Sequence, residues 1–262
     1  MRSTFRIGTT SYIYPAEIIA NVLKLKDRVD DIELLLFEVN DEREFPSKKE
    51  VKKLRQLGAD YDLTYTIHLP LDLLLGSVVD RERKASMDMV VSLMNYLQIL
   101  SPHSYILHLN FLEDQGEDIE VWKDKVRGSC EYIIKKIDFG SERISIENLN
   151  YPFTYVEDVI SANNLSVCID VGHLLVRKID IEKHICKYIK RTRVIHLHGV
   201  RRDKDRERDH VSLKYIDKEL LARVLKLVRD SCFQGVLTLE VFSKENFEDS
   251  MSVLYNCIGI RE

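Results

Sequence analysis

The chain has 262 residues, 45% hydrophobic and 31% charged, with only 10 Gly and 5 Pro. That length suits one α/β domain and leaves no room for a second, and the composition excludes linker-rich and disordered classes. A net charge of −4 and a pI near 6.1 exclude any global pull toward polyanions, so binding along a duplex would need a local basic patch.

Eight short apolar runs, rich in β-branched residues, alternate with stretches of helical period. The first run, Phe5 to Thr9, precedes AEIIANVLKLKDRV, whose apolar residues recur at three and four. Ile32 to Val39 is followed by Pro46-Ser47, a helix start, and KKEVKKLRQL. Leu63 to Leu69 leads into RKASMDMVVSLMNYLQIL, and then come Tyr105 to Leu109, Ile144 to Glu147, Val167 to Val171 and Val194 to His198. The charge run RRDKDRERDH, Arg201 to His210, would read as a solvated loop elsewhere, but directly after the seventh strand it is expected to form a loop on the active face. DKELLARVLKLVRD, the eighth run Val236 to Val241 and ENFEDSMSVLYNCI complete the series. Parallel strands need helical crossovers, and eight such units predict a single (β/α)8 TIM barrel across residues 1–262. An open doubly wound sheet shares the alternation, but the first strand has no G-x-G-x-x-G after it, which removes its usual nucleotide-binding form.

Polar groups cluster at the carboxyl ends of these runs: His68, His108, Glu147, Asp170 with His173, His196 with His198, and Glu240. A strand core is apolar, so ionisable groups at six strand ends imply a shared purpose, and a closed barrel gathers such ends at one face. Side chains alternate along a strand, so His196 and His198 point the same way. Imidazole and carboxylate are donors preferred by zinc, manganese and iron. Glu147, Asp170, one strand-seven histidine and Glu240 make a four-donor site. His68, His108, His173, His210 and the other histidine bring the total to nine, more than one ion accepts, so either further ions bind or some of the nine serve substrate and protons. Arg201, Arg202, Arg206 and Arg208 follow a strand end and are expected to grip substrate anions. Asp209 and Glu38, the latter closing IELLLFE, are further candidates for catalysis. His103 and His184 read as surface or helix residues, and Cys168 as a small core residue.

The five cysteines are odd in number and lack C-x-x-C spacing, which predicts reduced thiols and not a disulfide framework or a zinc ribbon. The opening MRSTFRIGTTSYIY lacks the basic start followed by an apolar stretch that marks a signal peptide, and no run approaches the roughly 20 residues that span a bilayer. A cytoplasmic protein without membrane contact is expected.

With these residues in place the chain resembles the xylose isomerase-like TIM barrels, which include sugar isomerases and epimerases and the zinc-dependent abasic-site endonucleases. The resemblance implies one to three divalent ions. It maps the epimerase ligands onto Glu147, Asp170, His198 and Glu240, and the additional endonuclease histidines onto His68, His108 and His210. One departure stands out: the endonuclease pattern has an Asp two residues before the last His, and here that position is Arg208, with Asp209 adjacent. GTTSYIYP, IELLLFE, TIHLP, LHLN, DVGHLL, HLHGV and the DH-x-SL of Asp209 to Leu213 look like the CbiR-type cobamide-remodelling phosphodiesterases. That likeness implies a hydrolase cleaving a phosphoester in the nucleotide loop of a cobamide. An aldose-ketose isomerase or 3-epimerase is the alternative, with Glu147 and Glu240 moving protons and His173 gripping a hydroxyl. A noncatalytic binding module would be expected to have lost ligands. Abasic DNA cleavage fits worse, because a mildly acidic chain with short loops offers little to a bent duplex.

Overall fold

The computed structural model describes residues 4–38, 45–111, 116, 118–204 and 206–258. Elements follow the predicted alternation: β1 (Arg6–Thr10), α1 (Ile18–Leu25), β2 (Asp31–Leu35), α2 (Lys48–Tyr61), β3 (Thr64–His68), α3 (Asp80–Leu97), β4 (Tyr105–Leu107), α4 (Ile119–Ile134) and β5 (Ile144–Glu147). The second half runs α5 (Glu157–Ala162), β6 (Ser166–Asp170), α6 (Val171–Val176), α7 (Ile181–Tyr188), β7 (Thr192–Leu197), β8 (Gly199–Asp203), β9 (Arg206–Val211), α8 (Lys218–Asp230), β10 (Val236–Leu239) and α9 (Lys244–Ile258). Eight parallel strands close as β1-β10-β7-β6-β5-β4-β3-β2, so the chain is a single (β/α)8 barrel. Among the described residues no helix is long and apolar enough to cross a membrane.

Capping residues set several helix starts. Ser47 and Glu50 form a reciprocal capping box on α2, and Asp118, Asp180 and Asp217 accept backbone N–H groups at α4, α7 and α8. The helix α4, which the sequence reading passed over, carries its apolar stripe at Trp122, Val126, Cys130 and Ile133.

Two faces of each strand meet different surroundings. Ile32, Leu34 and Leu36 join the large apolar core between sheet and helices. Within the bore Ile106, Cys168, Val194 and Val236 form a small apolar layer. The rest of the bore is unusually polar, with Asp31, Glu33, Thr66, Ser145 and Thr238 all fully buried. Period-two alternation explains the division, because Asp31 and Glu33 alternate with the outward-facing Ile32 and Leu34.

The charged run after β7 is not the expected loop. Its two halves pair antiparallel as the hairpin β8-β9, with Arg202 opposite Glu207 and Asp203 opposite Arg206. Opposite charges across the ladder favour the pairing, and Arg202 Nε lies 2.6 Å from Glu207 Oε2. The second strand is also shorter than expected: the run Ile32 to Val39 is β-paired only to Leu35, and Val39 lies outside the described residues.

Candidate metal centre

The barrel mouth is built from strand ends. His68 closes β3, His108 follows β4, Glu147 closes β5, Asp170 closes β6, His196 and His198 flank the end of β7, and Glu240 follows β10. Local structure fixes the central pair. Asn148 Oδ1 accepts the Asp170 N–H (2.8 Å) and its Nδ2 donates to the Asp170 carbonyl (3.0 Å), which locks the end of β5 to the end of β6. Asp170 is also the N-cap of α6: its Oδ1 accepts the His173 N–H at 2.6 Å, leaving Oδ2 for the centre. This explains the D-x-x-H spacing, since an N-cap and the third helical residue share one side. Only glycine fits at Gly172, because a Cβ there would lie 2.0 Å from His198 Cε1.

Glu147 is the hub. Its Oε2 lies 3.0 Å from His108 Nε2 and 3.3 Å from His68 Nε2, and its Oε1 lies 3.3 Å from His173 Nδ1. His196 Nδ1 faces all three carboxylates, at 3.2 Å from Glu240 and 3.8 Å from both Glu147 and Asp170. His198 is placed differently. Its Nδ1 accepts the backbone N–H of His210 at 2.9 Å, so its proton belongs on Nε2, 3.2 Å from Asp170. His196 Nδ1 thus faces three carboxylates, while Nε2 of His198, the ligand implied by resemblance, faces two, Asp170 at 3.2 Å and Glu240 at 4.0 Å. His210 adopts a left-handed φ of 50°, stacks on His198 at 4.0 Å and brings Nε2 to 3.4 Å from Glu240.

Charges are strongly coupled here. Burial disfavours ionised Glu147 and Glu240, yet the surrounding histidines hold both carboxyls well below their usual range. Burial likewise works against charge on His173 and His210, but Asp170, Glu147 and Glu240 push His173 up to about 11, and Glu240 with Asp170 and Asp209 pushes His210 up to about 9. Protons thus hold positions that a cation of the same charge could take.

A divalent cation fits this donor set. His196 Nδ1 and Glu240 Oε2 lie 3.2 Å apart, both buried, and neither has a hydrogen-bond partner among the described residues. Buried polar atoms left so are costly, and a shared cation satisfies both. Donor atoms converge in adjoining groups: His68, His108 and Glu147; Asp170, His196 and Glu240; Asp170, His173, His198 and His210. Cys168 lies beside them, but burial pushes its thiol well above the ordinary value, which keeps it protonated.

Two cavities open over the centre. One, of about 240 Å³, has His68, His108, Glu147, His173, His210 and Glu240 as its floor and Leu35, Leu36, Phe37, Leu71 and Phe242 as its wall. The adjoining one, of about 380 Å³, includes Asn110, Asn150, Arg177 and Asp209.

Several expected site residues stand apart. Glu38 is exposed and lines neither cavity. Nor do Arg201, Arg202, Arg206 and Arg208: Arg201 Nε bonds Asp203 at 3.0 Å, Arg202 is held by Glu207, and the hairpin carries all four exposed. Cross-strand pairing turns these side chains to solvent, and Arg177 on the loop after α6 is the arginine that reaches the mouth. Asp209 sits at the rim, its Oδ1 3.2 Å from His210 Nδ1. His184 is a buried helix residue between Phe153 and Tyr188, whereas His103 lies on neither a helix nor the open surface: half-buried before β4, its Nε2 bonds the Arg193 carbonyl. The sequence reading missed Glu33, Asn148, Arg177 and Phe242. Glu33 was legible as a carboxylate at an inward position of strand two, and Asn148 as the residue after Glu147.

The family profile described as xylose isomerase-like TIM barrel matches residues 28–257. The chain belongs to that family. Among curated proteins none matches. Among solved structures, a D-tagatose 3-epimerase-like protein superposes with a TM-score of 0.79 at 18% identity, covering 98% of each chain. D-psicose 3-epimerase from Clostridium cellulolyticum gives 0.71 at 14% identity, covering 98% of this chain and 99% of that one. Endonuclease IV from Thermus thermophilus gives 0.69 at 15%, covering 96% and 99%. At such identities the likeness is one of fold.

Proposed function

We propose that this family member is a metal-dependent phosphodiesterase acting on a bulky small molecule, with the nucleotide loop of a cobamide as the substrate to test first. One observation carries the reading. Glu147 with His68 and His108 stands beside Asp170 with His196 and Glu240, six donors in two groups where one zinc ion takes four. Paired ions suit phosphoryl chemistry, because when bound they withdraw charge from phosphate oxygens and acidify water. Arg177, with Asn110 and Asn150 beside it, is positioned to hold an anionic substrate arm, and His173 and His210 lie at the cavity floor. The apolar wall of Leu35, Phe37, Leu71 and Phe242 accommodates a bulky group better than a chain of sugar hydroxyls. Arg201 and Arg202 of the hairpin are already engaged with Asp203 and Glu207, which leaves fewer cations for a duplex. The cobamide itself rests on the motifs quoted above.

The test incubates metal-loaded protein with a cobamide, a panel of ketoses and abasic DNA, with products read by mass. Cleavage of the cobamide phosphoester is the expected result, and ketose epimerisation without phosphoester cleavage would overturn the proposal.

Metal count gives a second check. His68→Ala with His108→Ala is expected to lower bound metal by about one equivalent while leaving the melting transition cooperative, because these two histidines share one donor group with Glu147. Elemental analysis of both proteins, purified side by side without chelator, decides it. Unchanged metal with reduced turnover would make the pair substrate-binding or proton-transfer groups instead.

A further inference from the structure

Glu33 lies inside the barrel, below the metal centre, and is fully buried. Its Oε2 is 2.9 Å from His196 Nε2, and its Oε1 has no hydrogen-bond partner among the described residues. The nearby hydroxyls do not hold it: Thr66, its register neighbour on β3, and Thr238, the register neighbour of His196 on β10, are both buried with unpartnered Oγ1 atoms. A carboxylate kept dry with a single partner is costly, so the contact with His196 is what its position serves.

We propose that Glu33 is a positioning residue that fixes the tautomer and ring orientation of His196. This rests on the metal-centre reading above. An imidazole that donates Nε2–H to a carboxylate has its lone pair on Nδ1, and Nδ1 is the atom that faces Glu240, Glu147 and Asp170. Glu33 and His196 come from β2 and β7, which are not neighbours in the barrel, so the bond crosses the bore beneath the site. It holds the ring against rotation while Nδ1 stays presented to the cation. Oε2 is committed to the ring N–H, so Glu33 acts through His196; Oε1 is left over, with His68 and Glu240 beside Glu33, and Glu33→Gln separates positioning from ligation.

The experiment uses the full chain with zinc alone. In 15N-histidine-labelled, zinc-loaded protein, long-range 1H–15N spectra are expected to show His196 protonated at Nε2 with zinc at Nδ1, and zinc at Nε2 would overturn the proposal without any variant. Glu33→Ala is expected to weaken the zinc site by roughly 10–100-fold in chelator competition, the usual cost of losing such a partner. Glu33→Gln keeps an acceptor for Nε2–H and is expected to recover most of that affinity at full zinc stoichiometry. Loss of a zinc equivalent in the Gln variant would make Glu33 a ligand and sink the positioning role, as would an Ala variant that binds zinc as tightly as the parent. His196→Ala separates the two layers of the argument. If it leaves zinc stoichiometry unchanged, the metal-centre reading fails. If it removes an equivalent while Glu33→Ala has no effect, the Glu33 proposal alone fails.

Discussion

Glu147→Ala is expected to abolish tight metal binding and to lower phosphoester turnover by on the order of 10³-fold, equivalent to about 4 kcal/mol of transition-state stabilisation. Glu147 touches His68, His108 and His173 directly and lies 3.8 Å from His196, so its removal disturbs both neighbouring donor groups at once. No other carboxylate among the described residues contacts His68 and His108 together. Elemental analysis and a turnover assay on the same preparations check the result. A variant that retains its metal and loses less than about tenfold in rate would show that the centre is organised around another group.

Asp31→Asn is expected to stabilise the protein at alkaline pH and to leave it unchanged near pH 4. Asp31 is fully buried at the start of β2, where burial raises its pKa from 3.8 to about 7 against the hydrogen bond from Thr64 Oγ1 at 2.6 Å. A carboxyl whose folded pKa is raised favours the folded state while protonated. That contribution is complete below the unfolded value near 3.8 and is lost as pH rises through about 7. The loss, a little over three pKa units, is on the order of 4 kcal/mol, or about 10 °C in Tm for a chain of this size. Melting curves across pH 4 to 8 for parent and variant check the sign. The proposal fails if the parent gains on the variant as pH rises over that window.

The alternation of apolar runs with helical stretches, together with the lack of a G-x-G-x-x-G after the first strand, favoured the barrel over an open doubly wound sheet, because strand and helix periods are local properties. Candidate donors were legible for a related reason. A histidine or carboxylate ending an apolar run is conspicuous, and His68, His108, Glu147, Asp170 and His196 all lie where that pattern puts them. The arginines misled because the sequence locates Arg201 to Arg208 after a strand, while exposure depends on Arg202 pairing with Glu207 across a hairpin.

Sequence by itself determined the order of strands and helices along the chain and the ionisable residues at six strand ends, since each is a consequence of side-chain type and spacing. Tertiary structure decided which donors meet and by which atoms. Glu33 and His196 are 163 residues apart, and only closure of the barrel brings them to 2.9 Å. His196 and His198 are equivalent by period, yet the N–H of His210 occupies Nδ1 of one while Nδ1 of the other faces three carboxylates. A ring nitrogen's role follows from its hydrogen-bond partner, and that partner comes from a segment whose distance only the folded chain sets.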